Sequence, residues 1–88
     1  MENRNQEVTS SFVATFENHY KAMLFRKGMG TACVLRPVPR CLSSSCGTSA
    51  FFTLEDGASF DNLPQELKAL VEAIYEFKNG EYHETYKN

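Results

Sequence analysis

The chain has 88 residues, 42% hydrophobic and 23% charged, with a net charge of −2. That length supplies one domain, 1–88, and excludes two, while the apolar content excludes a disordered chain. No apolar run approaches the ~18 residues a membrane helix needs. The polar start, Met1 to Glu7, lacks the basic and then apolar pattern of a secretion signal, so a cytoplasmic protein is expected.

The first element expected is a helix over residues 5–27. Val8, Phe12, Phe16, Tyr20 and Leu24 recur at every fourth position, which keeps a stripe on one helical face. Asn5 suits an N-cap, Arg26 and Lys27 suit the negative end, and Gly28 and Gly30 close it. Thr9, Ser10 and Thr15 are weak helix formers, so packing has to hold this segment.

Residues 31–36 and 49–54 read as strands, with Pro37 and Pro39 ending the first at an edge or in a loop. Glu55-Asp56-Gly57 reads as a turn, and Ala58-Ser59-Phe60 as a short returning strand. Residues 63–79 read as a second helix. Leu63, Leu67, Leu70, Val71, Ile74 and Phe77 share one side, and Glu66, Glu72 and Glu76 lie mostly on the solvated one. Asp61 or Asn62 caps its start, and Asn79-Gly80 stops it.

The expected fold class is therefore α+β, in the order α-β-β-(β)-α: a small antiparallel sheet covered by two amphipathic helices. Residues 1–4 and 81–88 are expected to be flexible tails. A hairpin this small is marginal alone, and a homodimer would widen the sheet and remove an edge.

Charge is unevenly distributed. Between Asn18 and Leu54 stand Lys21, Arg26, Lys27, Arg36 and Arg40 and no acid, whereas eight acids and three lysines follow from Glu55 onward. Arg26, Lys27, Arg36 and Arg40 define a basic patch that suits phosphates, with the hydroxyls of Ser43 to Ser45 beside it. The same cations can instead face the acidic C-terminal part of the chain. Of the adjacent Phe51 and Phe52, at least one belongs to the core, because strand neighbours point to opposite faces.

Cys33, in a strand, reads as a small buried apolar residue. Cys41 and Cys46 stand in a loop and read as ordinary reduced thiols. The alternative is a redox pair, which would need Cα atoms within about 7 Å to close a disulfide and for which Arg40 beside Cys41 would favour reactivity. No second ligand pair completes a zinc site, so no metal and no cofactor are expected. His19 reads as a partly buried structural histidine and His83 as an exposed one. No phosphate loop, nucleophile motif or acid–base pair is present, so the protein is expected not to be an enzyme.

These features favour a small non-enzymatic protein–protein interaction module, a regulator, inhibitor or adaptor. Its contact surface is the loop from Pro37 to Thr48, with Arg40 and Leu42 in it and Arg36 just before it, and the acidic second helix is the other candidate surface. The alternative is a binder of nucleic acid or a phosphorylated ligand through Arg26, Lys27, Arg36 and Arg40.

Overall fold

In a computed structural model, which describes residues 9–55 and 63–88, the chain forms one five-stranded antiparallel sheet. Its strands are β1 (Thr9–Thr15), β2 (Cys33–Pro37), β3 (Thr48–Glu55), β4 (Ala73–Lys78) and β5 (Glu81–Lys87). They lie in the order β2-β3-β1-β4-β5. Helix α1 (His19–Met29) follows β1 and runs into a 3₁₀ turn at Gly30–Ala32. Helix α2 (Gln65–Lys68), a single turn, precedes β4.

β1 and β2 both pair antiparallel with β3 between them, so they run parallel to each other. Parallel strands need a crossover, and α1 supplies it. The same holds for β3 and β4 on either side of β1. Through β4 the order is thus the split βαβ, or ferredoxin-like, arrangement β1-α1-β2-β3-α2-β4. β5 adds a strand outside β4.

Two expected helices are overturned. The stretch 5–27 contains β1 and then α1, and the stretch 63–79 contains α2 and then β4. Among the described residues, one long helix and not two covers the sheet. The cause lies in the spacing: a step of four residues is even, so Phe12 and Phe16 share a strand face as readily as a helix face. The Thr and Ser residues of β1 and the Ile-Tyr-Glu-Phe run of β4 then decide for strand. Asn79 and Gly80, with φ of 54° and 79°, do not stop a helix. They turn the β4–β5 hairpin, for which an Asn-Gly pair with two positive φ angles is the favoured solution. Residues 81–87, expected as part of a tail, are β5. The two strands expected at 31–36 and 49–54 are present as β2 and β3. The Asn5 cap, the strand at 58–60 and the Asp61 or Asn62 cap lie outside the described residues.

α1 is held at both ends. Asn18 Oδ1 accepts from the Lys21 N–H at 2.9 Å, and Gly30, at φ 69°, ends the helix with its N–H on the Arg26 carbonyl. The helix covers one face of the sheet, where Phe12, Ala14, Cys33, Ala50, Phe52 and Ile74 join Phe16, Ala22, Phe25, Leu67 and Val71 in the core. Phe52 is the hub, with Phe12 stacked at 5.5 Å and Phe25 tilted at 5.7 Å between ring centroids. Gly28 lets α1 approach α2, since a Cβ there would stand 2.5 Å from Leu67 Cδ2.

Among the described residues, no helix lies on the opposite face. Val13, Val34, Phe51, Phe77 and Tyr82 line a shallow apolar trough of about 650 Å³ there, with Arg36 lying 5.8 Å over the Phe51 ring. No helix among the described residues is long and apolar enough to cross a membrane.

Candidate functional site

The two prolines that end β2 open a long connection to β3, residues 38–47. Its base is closed by the Val38 N–H on the Gly47 carbonyl at 3.1 Å, and Leu42 turns back onto the Pro39 carbonyl at 3.0 Å. Loops of this length need anchors or they wander, and here the anchors are the serines. Ser44 Oγ lies 3.1 Å from the Phe16 carbonyl and 3.2 Å from Glu72 Oε1, one hydroxyl proton between two acceptors. Ser45 donates its N–H to Glu72 Oε1 at 3.3 Å and its hydroxyl to Glu72 Oε2 at 2.6 Å. The loop is therefore strapped to the junctions β1–α1 and α2–β4.

Glu72 is itself fixed. Its N–H donates to the Thr15 carbonyl at 2.6 Å, and its own carbonyl accepts from the Asn88 N–H at 3.1 Å. The Ser45 hydroxyl holds the Glu72 carboxyl below its ordinary pKa. Partial burial opposes this, and the Ser45 N–H, Ser44 and the Lys87 ammonium add to the lowering. The acid expected on the solvated side of a helix is the anchor of the cysteine loop. Nothing local announces this, because the contact spans 27 residues of chain.

The three free cysteines occupy three environments. Cys33 is 2% exposed and points into the core, and burial pushes its thiol pKa up against the lowering effect of Arg26. Cys41 is exposed at the start of the loop. Cys46 is half-buried just beyond the anchored serines. Its N–H donates to Ser44 Oγ at 3.3 Å, and its Sγ receives the Thr48 N–H at 3.4 Å. A donor aimed at sulfur meets the negative charge that a thiolate or a persulfide carries. Thr48 Oγ1 in turn lies 3.1 Å from Nδ1 of His19, the first residue of α1. His19, expected to be partly buried, is exposed.

Arg26 and Lys27 stand exposed in the last turn of α1, on the covered side of the sheet. Arg36 lies on the open face. Arg40 is exposed in the loop and Leu42 is half-buried there. The structure thus gathers Arg36, Arg40 and Leu42 at the β2 end and its loop, and sets Arg26 and Lys27 on the other side of the sheet. His83 is exposed on β5, 3.6 Å from Glu81. Among the described residues, no group of three His, Cys, Asp or Glu side chains could hold a metal ion.

A split βαβ sheet with one strapped, half-buried thiol at its loop end defines a small thiol-bearing α+β protein. The chain belongs to the family described as "Putative Se/S carrier protein-like", whose model matches residues 11–76. That span includes all three cysteines, the serine loop and Glu72. The description is that of a small carrier-type protein. No curated protein and no solved structure matches the chain.

Proposed function

We propose that this protein is a non-enzymatic carrier that holds a sulfur or selenium atom on Cys46 and passes it to a partner protein. The observation that carries this reading is the setting of Cys46. It is the thiol that is neither sealed in the core like Cys33 nor loose in solvent like Cys41, and its sulfur already has a backbone donor.

The chemistry needs only a thiolate and a donor persulfide. The Cys46 thiolate attacks the outer sulfur of the donor, the donor's S–S bond breaks, and the donor departs as a thiolate. Cys46 is left as a persulfide, with no net oxidation; selenium transfers in the same way. The reverse step delivers the atom to an acceptor thiolate. Such exchange requires reduced thiols, which suits a cytoplasmic setting. It also requires contact with a donor and an acceptor, so the interaction surface expected around the loop becomes the route of delivery rather than the seat of a regulator.

The test is mass spectrometry after incubation with inorganic polysulfide. The Cys46 peptide is expected to gain one sulfur atom in the native protein and in the Cys33→Ala and Cys41→Ser variants. Loading confined to Cys41, or none at any cysteine, overturns the reading.

A further inference from the structure

The carboxylate of Glu72 makes three contacts to two adjacent loop residues, at 3.2 Å to Ser44 Oγ, 3.3 Å to Ser45 N and 2.6 Å to Ser45 Oγ. Ser44 then accepts the N–H of Cys46. A continuous chain of hydrogen bonds therefore runs from the α2–β4 junction to the backbone of the candidate carrier cysteine. The strap ties this loop to the C-terminal half of the chain, and the Ser44 hydroxyl that serves it also lies on the Phe16 carbonyl at the β1–α1 junction.

A carrier has two opposed needs. Its cargo must be shielded from adventitious thiols in transit and exposed at delivery. A half-buried sulfur on a loop strapped at one carboxylate meets the first need, and releasing that carboxylate meets the second.

We infer that Glu72 is a positioning residue for Cys46, a latch that holds the loop closed over the carried atom and opens it for transfer. This rests on the carrier reading of Cys46 and adds the element that governs retention. The unwanted reaction it suppresses is attack by a small thiolate on the outer sulfur. In that reaction the Cys46 S–S bond breaks, the small molecule becomes the persulfide, and Cys46 is restored as a thiolate. Charge on Glu72 matters as well as shape, because both carboxylate oxygens accept, Oε1 from the Ser44 hydroxyl and the Ser45 N–H and Oε2 from the Ser45 hydroxyl, whereas an amide keeps a single accepting oxygen.

The experiment compares the native protein with Glu72→Ala, Glu72→Gln and Ser45→Ala. Two quantities are read: the lifetime of the Cys46 persulfide in glutathione, and the ratio of Cys46 to Cys41 alkylation by iodoacetamide in the unloaded protein. Glu72→Ala and Ser45→Ala are expected to shorten the lifetime and raise the ratio by about tenfold, the order of change in a local opening equilibrium when a hydrogen bond to a charged group is lost. Glu72→Gln is expected to fall between. Equal lifetimes and equal ratios in all four proteins overturn the latch. If the native protein takes up no sulfur, the carrier reading falls, and the alkylation ratio alone then decides whether Glu72 controls access to Cys46. Thermal melts of each variant separate a local opening from a general loss of fold: a variant that melts like the native protein and still shows the raised ratio supports the latch, and a raised ratio seen only in variants that melt far lower overturns it.

Discussion

Cys33, Cys41 and Cys46 share one chemistry and differ in what surrounds them. Cys33 faces the Phe-rich core, where burial favours the neutral thiol. It is expected to resist iodoacetamide in the native protein while Cys41 reacts, and to react only in denaturant; peptide mapping of the alkylated protein reads this directly. Glu72 gives a pH prediction with a definite sign. A carboxyl whose folded pKa lies below its unfolded value contributes stability that is present above the unfolded value and is lost as pH falls through the folded one. For Glu72 the loss begins near its ordinary value of 4.5 and continues below it. The charged and titratable groups around it are Lys87 on β5, Tyr75 on β4, and Glu17 and Lys21 beside the start of α1. Hydrogen exchange at the Ser45 amide is expected to accelerate, beyond its intrinsic pH dependence, as the solution is acidified through that window. An amide protected equally at pH 6 and pH 3 would contradict it. The burial of Cys33 was legible from its place in an apolar strand. Glu72 was not, because its partners, Ser44 and Ser45, become neighbours only once β1, β3 and β4 have paired.

At the scale of elements, the sequence spoke clearly where one pattern had one meaning. β2 and β3 are short apolar runs closed by proline, serine and glycine, and both are where those signals put them. The N-terminal stripe had two meanings. Phe12 and Phe16 satisfy an alternation of two as well as a helical period, and only the poor helix formers Thr9, Ser10 and Thr15 hinted at the strand. Asn79-Gly80 was likewise ambiguous between a helix stop and a hairpin turn. The alternation of Ile74, Tyr75, Glu76 and Phe77 resolves it, with Ile74 buried on the helix side and Phe77 on the open face. Because Gly80 holds φ at 79°, Gly80→Ala forces a side chain into the left-handed region and is expected to lower stability by about 1–2 kcal/mol. Urea denaturation of the variant checks it. A change of only a few tenths would mean that β5 contributes little to the fold.

At the scale of the whole molecule, the sheet is two-sided in packing and one-sided in cover. The helix face holds Phe52 with Phe12 stacked on it and Phe25 tilted against it, while the open face carries the trough of Val34, Phe51, Phe77 and Tyr82. The basic middle of the chain is divided by the same plane, with Arg36 on the open face and Arg26 and Lys27 on the other side. That division was invisible in a one-dimensional charge map. Adjacent residues of β3 expose the asymmetry most cleanly. Phe52 is 3% exposed and touches two other rings, so Phe52→Ala leaves a cavity in the core and is expected to cost about 3–5 kcal/mol. Phe51, one position away, is half-buried under the Arg36 guanidinium with solvent above it. Phe51→Ala removes partly hydrated surface and a weak cation–π contact, and is expected to cost about 1–2 kcal/mol. Paired urea melts of the two variants measure the difference. Equal losses would mean that the open face is packed against something in solution, and a concentration dependence of the native melt would then identify that partner as a second copy of the chain.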